Sequence, residues 1–195
     1  MSDKYKISEP HSPRGVCSLT NLKNVPNWAH LHQGEPQDGH FPEDAHFVMD
    51  PDLPKAIKLA DVLDNNDSFL VVSERLLDLM KSADALAHNE VFEVGIVNHK
   101  GRREKAKYFL VHQIDLPTCV DARRTVGVKS PLDPVEYDDI EKLVLDEKKI
   151  GSDYAIFRPR EYTARVFFRK DIAAKIESGG FTGIVFYDLK DYDDF

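Results

Sequence analysis

The chain has 195 residues, 42% of them apolar and 31% charged, with a net charge of −8. That mixture supports a core, in one large domain or two small lobes, and excludes an intrinsically disordered chain. No run approaches the ~20 apolar residues of a membrane-spanning helix, and an acidic surface repels nucleic acid and membrane phosphates while attracting basic partners.

The start of the chain carries no apolar h-region, so no secretory signal is expected. Cys17 and Cys119 form no disulfide framework and suit reduced thiols in a cytoplasmic protein. Charge is unevenly spread: residues 1–98 carry −8, 99–130 carry +5, 131–153 carry −5, 154–187 carry +3 and 188–195 carry −3.

Residues 8–45 hold five prolines together with Gly15, Gly34 and Gly39, which forbids long regular elements. Trp28 is expected to anchor this stretch onto the core through its large ring. His46-Phe47-Val48-Met49 reads as a short strand, and residues 50–67 as a loop with a helical turn near 56–60. Phe69-Leu70-Val71-Val72 is an apolar run of strand length. Ser73 follows as a helix N-cap, with Glu74 set against the positive helix end. Leu76, Leu77, Met80, Ala83 and Leu86 then mark one helical face. Residues 91–97 and 107–114 alternate, and Gly101 in the basic link between them predicts a β-hairpin. Lys100, Arg102, Arg103, Lys105 and Lys107 at its tip read as a solvated surface, because no exposed aromatic platform accompanies them.

Residues 131–139 are acidic and proline-rich, and read as a linker or surface loop. They divide the chain into an N-terminal lobe, 1–130, and a C-terminal lobe, 131–195, with one continuous domain as the alternative. Leu143-Val144-Leu145 reads as a strand. Residues 154–189 are the most regular stretch. Ala155-Ile156-Phe157 and Arg165-Val166-Phe167-Phe168 suit strands, Asp171 a helix cap, and Ile172, Ala173 and Ile176 one helical face. Gly179-Gly180 stops that helix, and Ile184-Val185-Phe186 returns as a strand. These glycines follow the helix, whereas phosphate loops place theirs before one. Residues 69–80 can be laid on 165–176, with Val71 on Phe167, Leu76 on Ile172 and Met80 on Ile176. The expected fold is α+β: mostly antiparallel sheet with packed helices, in two strand–helix–strand units.

Chemistry is sparse. His30, His32, His40 and His46 alternate with Glu35, Asp38, Glu43 and Asp44, the residue types of a metal-dependent enzyme. However, H-x-H-x-x-E falls one residue short of the cupin spacing, and the segment lacks the periodicity that would hold ligands rigidly. No metal or cofactor is expected. G-x-S-x-G, Walker, G-x-G-x-x-G and H-E-x-x-H motifs are all missing. Glu74 and Asp171 are explained by helix starts, so no catalytic residue is expected and the chain does not read as an enzyme.

Four segments in order carry a resemblance: Val72-Ser73-Glu74; Tyr108-Phe109-Leu110 leading to Cys119-Val120-Asp121; Ile156-Phe157-Arg158; and Gly180-Phe181-Thr182-Gly183-Ile184-Val185-Phe186. Together they resemble the immunity proteins of bacterial polymorphic toxin systems, a group first catalogued as a domain of unknown function. The resemblance covers residues 69–189. It implies a cytoplasmic protein that binds and neutralises a cognate toxin, and it transfers no catalytic residue.

Charge then suggests where the toxin sits. The acidic stretches 133–146 and 188–194 are the expected contact with a basic toxin surface, through Asp133, Glu136, Asp138, Asp139, Glu141, Asp188, Asp191, Asp193 and Asp194. An ordinary solvated surface is the alternative for these side chains. A metal-dependent enzyme using the His30–His46 region and a non-catalytic adaptor are the alternatives for the function. Neither nucleic acid nor a membrane is an expected partner, and self-association is left open.

Overall fold

Tyr5 and Ile7 alternate with Lys6 along the first described segment, and both are buried. This period-2 pattern makes β1 (Tyr5–Pro10), a strand that the proline content of the neighbouring stretch concealed. The structure is a computed structural model and describes residues 4–192. In it β1 is an inner strand of a sheet ordered β11-β1-β10-β9, with β9 (Ile156–Phe157), β10 (Val166–Arg169) and β11 (Ile184–Asp188). A second sheet is ordered β2-β5-β6-β4-β3, from β2 (His46–Val48), β3 (Val62–Leu63), β4 (Leu70–Ser73), β5 (Asn89–Val97) and β6 (Tyr108–Gln113). All pairings are antiparallel except β2 with β5. A separate hairpin joins β7 (Val126–Lys129) to β8 (Tyr137–Lys142). The helices are α1 (Ala29–His32), α2 (Glu74–Ser82) and α3 (Lys170–Ser178). This is an α+β fold dominated by sheet.

In both sheets a third strand separates the strand before the helix from the strand after it. β6 lies between β4 and β5, and β1 lies between β10 and β11. Laying β4 and α2 on β10 and α3 keeps the register expected from the sequence, and matched residues occupy matched places. Val72 with Phe168, Leu76 with Ile172, and Met80 with Ile176 all enter one central cluster. Val71 and Phe167, one residue earlier on their strands, point the other way into two outer clusters. The outer face of the larger sheet is covered by Leu19, Leu22, Leu31 and Met49 of the N-terminal stretch. That of the smaller sheet is covered by Val120, Ile140, Leu143 and Leu145. Each such side chain gains about 1.5–3 kcal/mol by leaving water.

The segments singled out by resemblance prove to be cross-links. Ser73 caps α2 by accepting from Leu76 N–H at 3.3 Å, while its hydroxyl donates to Asp61 Oδ1 at 2.8 Å. The other Asp61 oxygen accepts from Thr182 N–H at 2.9 Å. Gly183 follows with φ +87°, and a Cβ there would fall 2.0 Å from the Val62 carbonyl oxygen, so only glycine permits the approach. Buried Glu161, just after Ile156-Phe157-Arg158, accepts from Cys119 N–H at 3.1 Å and Val120 N–H at 3.2 Å.

Several local expectations are corrected. Residues 56–60 contain no helical turn; Lys58 bridges Val16 there before the chain reaches β3. Residues 131–136, expected as a linker or surface loop, are a surface turn of the β7–β8 hairpin, closed by Ser130 N–H donating to the Glu136 carbonyl at 2.9 Å, whereas 137–139 of the expected loop belong to β8. The strand expected at Leu143-Val144-Leu145 lies earlier, at β8. Those three residues are all buried rather than alternating, and they meet residues 119–121 through a single bridge, Val120 with Leu145. Asp171 does not cap α3. It lies inside the first turn and is held by Arg169 at 2.6 Å. Only Gly180 of the glycine pair takes the left-handed conformation, at φ +64°.

Candidate partner-binding groove

Two adjoining hollows open where the sheets meet, and Ser68 and Ala164 line both. The first, of about 320 Å³, lies among Glu9, Asp64, Leu70, Arg165 and Val166. The second, of about 420 Å³, lies among Trp28, His32, Asp67, Glu136, Asp138 and Thr163. The groove therefore gathers five carboxylates on its walls against the guanidinium of Arg165, whose Nε lies 3.5 Å from Glu9.

Local structure explains each placement. Asn65 cinches the β3–β4 turn, accepting from Phe69 N–H at 2.9 Å and donating to the Phe69 carbonyl at 2.8 Å. That turn presents Asp64 and Asp67. Asp67 accepts from the Asn21 side chain and from Leu22 N–H, both at 2.6 Å, which ties the N-terminal stretch to the groove. Burial raises the Asp64 carboxyl above the usual range, against the opposing pull of Asn65 N–H and Arg165. Beneath the shared wall, the buried Arg158 donates to the Gln113 side chain at 2.8 Å, to the Ser68 carbonyl at 2.5 Å and to the Thr163 carbonyl.

Trp28 is 41% exposed at the groove mouth and does not anchor the N-terminal stretch as expected. Leu31, in the single-turn helix that Trp28 precedes, is buried. Trp28 meets His32 edge to face at 5.6 Å, and His32 stacks on Phe69 at 4.6 Å.

The expected toxin-contact residues separate into groups. Glu136 and Asp138 reach the groove. Asp133 pairs with Arg160 at 2.5 Å, which holds its carboxyl below the usual range, and Glu136 accepts from the Thr163 hydroxyl. These two therefore also fasten the hairpin to the loop after β9. Among the described residues Asp138, Asp139 and Glu141 make no ion pair or side-chain hydrogen bond. Asp188 pairs with Lys170 at 2.8 Å, and Asp191 follows it on the turn after β11; neither lines the groove. Asp193 and Asp194 lie outside the described residues. Glu9, Asp64 and Asp67 carry no sequence signal, because their neighbours are ordinary and only tertiary contact gathers them.

The four histidines do not converge. His30 pairs with Glu35 at 2.7 Å, His32 is stacked, His46 contacts the Asp44 carbonyl at 2.9 Å and His40 is exposed. Among the described residues no three His, Cys, Asp or Glu side chains are grouped to hold a metal ion. Both cysteines are buried; burial pushes the Cys17 thiol up to about 11 and raises that of Cys119 too, so neither is a thiolate at neutral pH. No described helix is long and apolar enough to cross a membrane.

The structure is thus that of an α+β protein whose most distinctive surface is an acidic groove with an aromatic residue at its mouth. The chain belongs to the Imm11 immunity protein family, whose profile matches residues 6–191. Comparison with curated proteins gives no match.

Proposed function

We propose that the chain is a non-catalytic inhibitor that acts in the cytoplasm of the producing cell and neutralises a cognate toxin by occlusion. The acidic groove covers a basic toxin surface. The observation that carries this reading is the convergence of Glu9, Asp64, Glu136 and Asp138 on one groove with Trp28 exposed at its edge. Carboxylates in a concave site steer a basic partner and speed encounter, and an exposed tryptophan supplies the kind of anchor that slows release. Asp188 and Asp191 add to the long-range field from the smaller sheet's edge.

The test is co-expression with the toxin encoded beside this gene, using Glu9→Gln, Asp64→Asn and Asp138→Asn together. We expect lost growth protection and an association rate lower by about ten-fold at low salt. Undiminished protection and unchanged association at physiological salt would overturn the groove reading. A wild-type chain that fails to protect any toxin-producing cell would favour an adaptor role.

A further inference from the structure

Among the described residues eight large apolar side chains are exposed, and four of them, Val126, Val128, Leu132 and Val135, lie on the β7–β8 hairpin. Leu132, at the turn, is 94% exposed. All four β7 residues are exposed, while Tyr137 and Ile140 across the ladder are buried in the outer cluster of the smaller sheet.

The hairpin is held as a built arm. Lys129 lies 3.4 Å from the centre of the Tyr137 ring and its ammonium donates to the Val135 carbonyl at 2.5 Å. Tyr137 N–H donates to the Glu161 carbonyl at 2.8 Å, and Asp133 is clamped by Arg160. Gly127 faces Ile140 across the ladder, and a Cβ on it would come 2.3 Å from the Asp139 carbonyl oxygen. One face is thus fastened down while valines and a leucine stay in water, an arrangement that marks a contact surface when the exposed side chains are contiguous.

We infer that this arm is the apolar half of the toxin contact, which rests on the groove reading above. Charge selects the occupant. Residues 126–142 carry five carboxylates and two lysines, so a second copy would set like charge against like, and anionic lipid would be repelled. A basic protein surface is complementary to both the acidic rim and the acidic groove. The arm is continuous with the groove, because Glu136 at the end of its turn and Asp138 on β8 form one of the groove's walls. The groove's carboxylates bring the partner in, and the arm's desolvated valines and leucine hold it.

The experiment measures association and dissociation rates of the purified toxin with the full chain, comparing Val128→Ser/Leu132→Ser with the groove triple variant. Both arm positions are exposed, and near-ultraviolet circular dichroism verifies that folding is retained; Val126→Thr, close to isosteric, serves as a second, milder variant. We expect the arm variants to release toxin faster, by about ten-fold for the double variant, with association and its salt dependence unchanged. Unchanged release from both arm variants, with association slowed in the groove variant, overturns the arm and leaves the groove reading standing. Wild-type rates in all variants overturn both. A concentration-dependent dimer of the free chain that the arm variants abolish, with toxin release unchanged, would reassign the arm to self-association.

Discussion

Arg158 is only 3% exposed and has three neutral acceptors: the Gln113 side chain and the Ser68 and Thr163 carbonyls. Burial draws its guanidinium down to about 10, still charged at neutral pH. It links β6, the β3–β4 turn and the loop after β9 under the groove. Arg158→Leu removes three bonds and strands buried acceptors, so a loss of about 3–5 kcal/mol is expected by urea unfolding. His32 is the other residue with a measurable signature. Burial, with Arg158 close by, lowers its pKa to about 4, against the opposing Asp67. Above its unfolded pKa both states are neutral and stability is complete. As pH falls below about 6.5 the unfolded chain takes up a proton that the folded ring refuses, so stability declines until pH 4, by up to about 3 kcal/mol. His32→Phe keeps the stack on Phe69 and should flatten that slope in unfolding curves between pH 7 and pH 4. The lowered pKa of His112 leaves a residual slope of the same sign.

Among the elements, α2 shows how a local signal depends on a distant partner. Its Ser73 cap was readable from the sequence, since Ser73 precedes a helical stripe and its hydroxyl meets Leu76 N–H. Asp61 was not readable. It lies 12 residues before Ser73 and 121 before Thr182, and only folding brings all three together. Asp61 orients the capping hydroxyl and ties α2 to the segment entering β11. Ser73→Ala should cost about 1–2 kcal/mol, and its combination with Thr182→Val should be non-additive in a double-mutant cycle. Gly183→Ala should cost more than either single change, through positive φ and the clash with the Val62 carbonyl.

At the scale of the molecule, residues of α2, α3 and both sheets share one central cluster. β1, from the start of the chain, pairs with β10 and β11 near its end. We propose from this that the two sheet-and-helix units are halves of one continuous domain. Met80→Ala and Phe168→Ala, on opposite sides of the cluster, should each lower stability by about 2–5 kcal/mol and leave a single unfolding transition by far- and near-ultraviolet circular dichroism. Two separate transitions would favour independent lobes meeting at residues 131–139.

Much of the scaffold was legible: α2, α3, their flanking strands and the β5–β6 hairpin. Each depends on short-range periodicity, which decides which side chains share a face. The sequence also pointed to the family, which follows from the order of segments, and its acidic composition motivates the partner surface proposed above. What only the tertiary structure decided is where the charge converges. Glu9, Asp64 and Asp138 stand far apart in sequence, and a strand from the N-terminus had to enter the C-terminal sheet before they could share a groove. The same holds for Trp28, whose ring the sequence assigned to the core and which the fold leaves exposed at the groove mouth, while Leu31 of the following helical turn enters the core cluster. Periodicity acts over a few residues; charge convergence depends on loop closure over more than a hundred.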